Sequence, residues 1–185
     1  YVNDLPNITK LARFILFADD TTCLIPCTRE ANKSILINSI CSKLSEWFRC
    51  NCLALNTGKC KCIYFTLRRN IELPEVALNN NIIELVKSLK FLGCIVDAEL
   101  NWHDHIANVC MKMSKGIAML QYVRNFFPSY VKRMIYFAYI YPHMTYCLPA
   151  WGGSHSTYLA RIGILQNKAI RLKANAPYLT HTADR

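Results

Sequence analysis

Charge is scarce in this sequence, and negative charge scarcer still. Of 185 residues, 18% are Asp, Glu, Lys or Arg, against roughly 25% in ordinary soluble domains. Only 12 acids face 22 bases, for a net charge of +10. Long apolar runs are missing as well. The longest candidate, "MIYFAYIY" over 134–141, stops at Pro142, well short of the roughly 20 residues that cross a bilayer. The start carries no basic stretch followed by an apolar core, so no secretory signal is expected. Internal repeats and low-complexity tracts are absent too. The expectation is an intracellular protein with no membrane partner, its compartment unassigned.

The remaining composition is rich in apolar residues, at 52%. A length of 185 residues allows one domain or two small lobes with a real core. So apolar a balance suits a piece that packs against more protein, and the opening Tyr1 in place of Met reads as a fragment or a processed product. Excess positive charge favours polyanionic partners, nucleic acid first and an anionic membrane surface second; charge that only aids solubility is the plain alternative. Ten cysteines need not be a disulfide scaffold in a chain this large. "CNC" (50–52) and "CKC" (60–62) offer four thiolates to zinc, but they lack the usual loop between ligands. Buried reduced thiols are the preferred reading.

Periodicity predicts an α+β chain. Residues 11–25 read as strand, tight turn at Ala18-Asp19-Asp20, and strand. A helix over 29–48 carries Ile37, Ile40, Leu44 and Trp47 on one stripe, with Thr28 as N-cap. Short strands follow at "CLALN" (52–56) and 61–67 around the turn "NTGK". Then come a hairpin over 76–86 turning at 79–81, and a strand "LKFLGCIV" (89–96). Beyond Asn101 the pattern is helical: 103–125, then a helix to about Tyr141, then 157–174 with Ser154 as a possible cap. The division into 1–97, mixed, and 98–185, helical, falls near Asp97 to Trp102.

One stretch stands out for chemistry. "FADDTT" (17–22) sets Asp19 and Asp20 side by side between two apolar runs. An ordinary solvated acidic turn is the plain reading. Between buried strands, however, two adjacent carboxylates repel and lose hydration unless something positive attends them, and Lys10 and Arg13 are few for that task. Mg²⁺, which takes one or two carboxylates and fills its shell with water and phosphate oxygens, fits better. Paired metals roughly 4 Å apart serve phosphoryl transfer in this way.

The order of motifs resembles reverse transcriptases of non-LTR, LINE-like and jockey-like retrotransposons. "FADDT" is similar to their (Y/F)-A-D-D signature, with "NDLP" (3–6) shortly before it. "LSEWFRCNCLALNTGKCKCIYF" (44–65) resembles a Trp-bearing helix followed by N-x-L-x-L-N-x-x-K-T. "LKFLGCIVDAELNWHDHI" (89–106) resembles (Y/F)-L-G-x-x-x-D-x-x-L-x-W-x-x-H-I, and 141–153 and 165–172 resemble the helical segment that follows the palm.

The resemblance implies half of a polymerase palm, built of antiparallel hairpins and a packed helix, over 1–97. A helical thumb and connection region is implied over 98–185. It further implies Asp19 and Asp20 as Mg²⁺ ligands, Phe17 and Ala18 beside the primer end, and Lys59 as the proton donor to departing pyrophosphate. Phe91, Leu92 and Gly93 fall on the primer-grip hairpin, where a small residue lets backbone approach nucleic acid. The partners implied are an RNA template, a DNA primer, deoxynucleoside triphosphates, and the N-terminal fingers and palm of the same polyprotein. A further palm Asp is expected upstream, so the chain alone is expected to be inactive. The alternative is a non-catalytic remnant or a basic nucleic-acid-binding domain.

Without that resemblance, Lys59 reads as a solvated turn lysine and Gly93 as a strand bulge. Cys60 departs from the pattern, standing where Thr is usual. "HDH" (103–105) reads as structural, with Asp104 at the positive end of a helix dipole. Lys168, Arg171 and Lys173 make the last helix basic, for solvent or for phosphate. Tyr136, Phe137, Tyr139 and Tyr141 are expected to pack the helices rather than to stack on bases.

Overall fold

A computed structural model describes residues 2–27, 33–68 and 73–175. The chain divides into two compact units, Tyr1–Lys87 and Ser88–Arg185.

In the first unit, a hairpin of β1 (Arg13–Phe17) and β2 (Asp20–Leu24) packs beside helix α1 (Lys33–Cys50). The stripe Ile37, Ile40, Cys41 and Leu44 is buried against Leu5, Val76, Leu78 and Ile83, at the three- and four-residue steps that one helix face requires. Trp47 lies at the edge of this core, half-buried. The expected cap Thr28 lies outside the described residues.

Helix α1 ends in a Schellman motif. Leu53 N–H donates to Phe48 O at 2.9 Å and Cys52 N–H to Arg49 O at 3.1 Å, with Cys52 left-handed at φ 54°. That cap explains why "CLALN" is not the strand expected of it: its first residue terminates a helix, and the rest is irregular. Strand β3 is likewise only Lys61–Cys62, and it pairs parallel with β6 (Glu84–Leu85), where Lys61 and Glu84 form an ion pair. Strands β4 (Ala77–Leu78) and β5 (Asn81–Ile82) make an antiparallel hairpin. Its two turn residues, Asn79 and Asn80, both have positive φ, the type I′ arrangement that asparagine tolerates. Asn38 of α1 ties this hairpin down, accepting from Ala77 N–H at 2.9 Å and donating to Glu75 O at 3.1 Å.

The second unit begins with an antiparallel hairpin of β7 (Ser88–Phe91) and β8 (Cys94–Asp97). The stretch expected as one strand is therefore folded back on itself. Leu92 and Gly93, at φ 43° and 89°, supply the left-handed pair that a two-residue turn needs. The hairpin belongs to the helical unit because β8 packs on α2 (His103–Val123). Helices α3 (Ser129–Tyr139), α4 (Tyr141–Thr145), α5 (Leu148–Trp151) and α6 (Ser156–Lys173) complete it. The core is Ile106, Val109, Met113, Ile117 and Leu120 of α2 with Tyr136, Ile140, Trp151, Ile162, Ala169 and Leu172.

Two helix boundaries differ from expectation. The break after α3 falls at Ile140 rather than at Pro142, and Pro142 sits in the first turn of α4, where its missing N–H has no partner to lose. His155 rather than Ser154 caps α6, its Nδ1 accepting from Thr157 N–H at 3.3 Å.

Candidate active site

Strand β1 alternates. Phe14 and Leu16 turn into the core while Arg13, Ile15 and Phe17 face outward. Five ladder pairs, from Arg13–Leu24 to Phe17–Asp20, leave Ala18 and Asp19 as a two-residue turn. Ala18 has φ 51° and Asp19 is not left-handed. A positive φ at the first turn position alone marks the II′ family, which prefers glycine there. Asp20 therefore starts a strand, and Asp19 forms the tip. The antiparallel ladder sets these two carboxylates at one rigid end.

Both carboxylates are exposed, as is Phe17 at 61%. The expected loss of hydration is not what this hairpin shows. Only one face of β1, that of Phe14 and Leu16, is covered by the core, and the turn lies beyond it. Among the described residues neither acidic side chain has a hydrogen-bond or ion-pair partner, and no three metal-binding side chains gather anywhere. The pair still supplies hard carboxylate oxygens of the kind Mg²⁺ takes one or two of.

Lys59 is exposed at the end of a 3₁₀ turn, Thr57–Lys59, whose backbone closes through Lys59 N–H to Asn56 O and Cys60 N–H to Thr57 O, both 3.1 Å. Its ammonium has no partner among the described residues. Phe91, Leu92 and Gly93 are half-buried at the tip of the β7–β8 hairpin.

Three side chains, two of them given no role by the sequence reading, hold that second hairpin and the loop after it. Tyr146 donates its hydroxyl to Leu92 O at 2.6 Å, and a Cβ on Gly93 would stand 3.1 Å from the Tyr146 ring. Glycine thus meets two demands there, a left-handed φ and a close aromatic neighbour. Asp97 is buried and accepts three backbone N–H groups: Glu99 at 3.1 Å and Asn101 at 3.0 Å on Oδ1, Trp102 at 2.8 Å on Oδ2. That bracket holds a loop in which Leu100 and Trp102 are both left-handed. His105, 3% exposed, accepts Ile95 N–H at Nδ1, so its proton sits on Nε2. Burial first, and then Lys112, pushes its pKa down. The structural reading of "HDH" holds for His105; the D…W…H spacing was visible in the sequence, its backbone partners were not.

Sequence comparison gives these features a context. The chain is 26% identical over 194 residues to the RNA-directed DNA polymerase from mobile element jockey of Drosophila funebris, covering all of this chain and 21% of that protein. The jockey polymerase of Drosophila melanogaster matches at 26% over 199 residues, with the same coverage. The probable RNA-directed DNA polymerase from transposon X-element of that species matches at 25% over 179 residues, 93% of this chain and 20% of the other. The chain is thus similar in sequence to RNA-directed DNA polymerases of jockey and X-element retrotransposons. It spans about a fifth of the length of these polymerases. No family model and no solved structure matches it.

The other candidates divide by burial. Cys60 and Cys62 are half-buried beside buried Cys41, whose thiol pKa rises through burial and then through Cys62 and Cys60. Cys50 and Cys52 are exposed instead, so the buried-thiol reading holds for one pair and fails for the other. Lys173 reaches over the Tyr136 ring, 5.2 Å from its centroid, and Lys168 is exposed. Tyr136 is buried as expected, whereas Phe137, Tyr139 and Tyr141 are substantially exposed.

Proposed function

We propose that this chain forms part of an RNA-directed DNA polymerase, residues 1–97 as part of its palm and 98–185 as its thumb and connection. The observation that carries the reading is the two-residue turn that holds Asp19 and Asp20 together in water at the end of an antiparallel ladder. These two residues would hold Mg²⁺, which when bound promotes attack by a primer 3′ hydroxyl and stabilises the leaving phosphate oxygen. Phe17 and Ala18 pack beside the primer end. Lys59, unpaired among the described residues, delivers a proton to departing pyrophosphate. Phe91, Leu92 and Gly93 bring backbone close to the primer strand, held by Tyr146. RNA template, DNA primer and deoxynucleoside triphosphates are the partners, along with the rest of the polyprotein.

The test uses a polypeptide as long as the relatives and containing this chain. Asp19→Asn should abolish Mg²⁺-dependent DNA synthesis on RNA and leave template binding within about threefold, since a neutral amide keeps the turn but loses the charge a hard cation needs. Normal synthesis by that variant would refute the assignment. The 185-residue chain alone should add no nucleotide, because among its described residues no third metal-binding side chain joins the Asp19–Asp20 pair. A non-catalytic, basic nucleic-acid-binding role is the second reading, favoured by the +10 charge. It would be selected if the full-length form also bound without synthesis.

A further inference from the structure

From His105 to Asn175 the sequence has no Asp or Glu; every formally charged side chain is Lys or Arg. In that setting α3 has an unusual outer face. Its inner face buries Lys132, Tyr136 and the following Ile140. Opposite lie Tyr130, Met134, Phe137 and Tyr141, exposed by 68, 66, 45 and 41%. Steps of four and three put Tyr130, Met134 and Phe137 on one stripe of α3, where a helix against water normally carries charge. Tyr141, the first residue of α4, extends it through its ring contact with Phe137. Arg133 adjoins it, its guanidinium 5.7 Å from the centroid of the Phe137 ring. Phe137 in turn meets Tyr141 edge to face at 5.3 Å.

We propose that this stripe stacks unpaired bases, making the outer face of α3 a binding surface for single-stranded nucleic acid. An aliphatic stripe would fit a protein groove or lipid tails; here three of the four side chains are aromatic, and flat rings with a cation alongside suit bases and their phosphates. The surrounding stretch, which lacks carboxylates, supplies charge complementarity to a polyanion and repels none of its phosphates. Stacking needs bases out of a duplex, which separates this surface from one that follows a paired backbone by charge alone. The inference rests on the polymerase reading, and its test distinguishes the two.

Fluorescence anisotropy on the 185-residue chain would compare a labelled RNA single strand of about twelve nucleotides with a blunt RNA–DNA duplex of equal length. Phe137→Leu and Tyr130→Ala together should weaken single-strand binding about tenfold or more, with duplex binding and the circular dichroism spectrum unchanged. Phe137→Trp, combined with Tyr130→Ala in place of Phe137→Leu, should retain the binding that the leucine variant loses, because an indole stacks where leucine cannot. Equal losses on strand and duplex, no loss, or rescue by any bulky aliphatic residue would overturn the stacking surface while leaving the polymerase reading intact. Capture of anionic vesicles that depends on the stripe, with single-strand binding unaffected, would overturn it in favour of lipid. Failure of the unaltered chain to bind either nucleic acid would count against both readings.

Discussion

Ala18 stands where the turn type favours glycine. An L-residue at positive φ costs about 1–2 kcal/mol, and the β1–β2 ladder must supply it. Ala18→Gly should therefore raise the stability of the first unit by about 1 kcal/mol in urea unfolding, even though glycine usually weakens a hairpin. A loss would mean that the Ala18 methyl makes a contact worth more than the backbone relief.

His105 is a second residue with a readable consequence. Its imidazole is neutral in the fold, with Nδ1 accepting from Ile95 N–H, and burial followed by Lys112 lowers its pKa from the ordinary 6.5. His143 moves in the same direction for the same causes. The unfolded chain therefore takes up protons first as pH falls. Stability of the second unit should be full above about pH 6.5 and decline as pH drops through that value toward the lower folded pKa. Urea midpoints followed from pH 7.5 to 5.5 check this, and His105→Phe should flatten the slope. A midpoint independent of pH in the unaltered chain would sink the argument.

Elements show where the sequence was legible and where it was not. The stripes of α1, α2 and α6 were visible because burial imposes a period that composition records. Strands 52–56 and 61–67 misled because apolar alternation there serves a helix cap and an irregular edge. Cys52 takes a left-handed position that usually announces itself as glycine. The turn at Leu92-Gly93 was hidden in an apolar run because only one of its residues is the expected type. Helix packing adds a prediction of its own. A Cβ on Gly116, mid-way along α2, would lie 2.6 Å from Ile140 Cγ1 and 2.9 Å from Tyr139 O. Gly116→Ala should destabilise the second unit by about 1–3 kcal/mol, outweighing the roughly 1 kcal/mol that alanine ordinarily gains in a helix. Thermal melting of that variant reads the sign directly.

For the molecule as a whole, the turn that holds Asp19 and the two strands beside it were legible together, unlike the later strands. "FADD" shows its turn because acids and a small residue between apolar runs leave few alternatives. Exposure of the pair was not legible, since it depends on how far the turn projects beyond the covered face. Nor were Tyr146 and Asp97, whose partners are backbone atoms that no side-chain pattern records.

The carboxylate-free stretch after Asp104 has a thermodynamic corollary. A bundle whose helices offer their cations a single acid, Asp104 at the start of α2, behaves as a small polyelectrolyte and folds against self-repulsion. Moving from about 0.1 M to about 1 M NaCl shortens the screening length from about 10 Å to about 3 Å, so the melting temperature of the helical unit should climb with salt, where a bundle held by surface ion pairs would lose. Heparin or any other guest polyanion should do the same at far lower concentration, through mass action on the folded form.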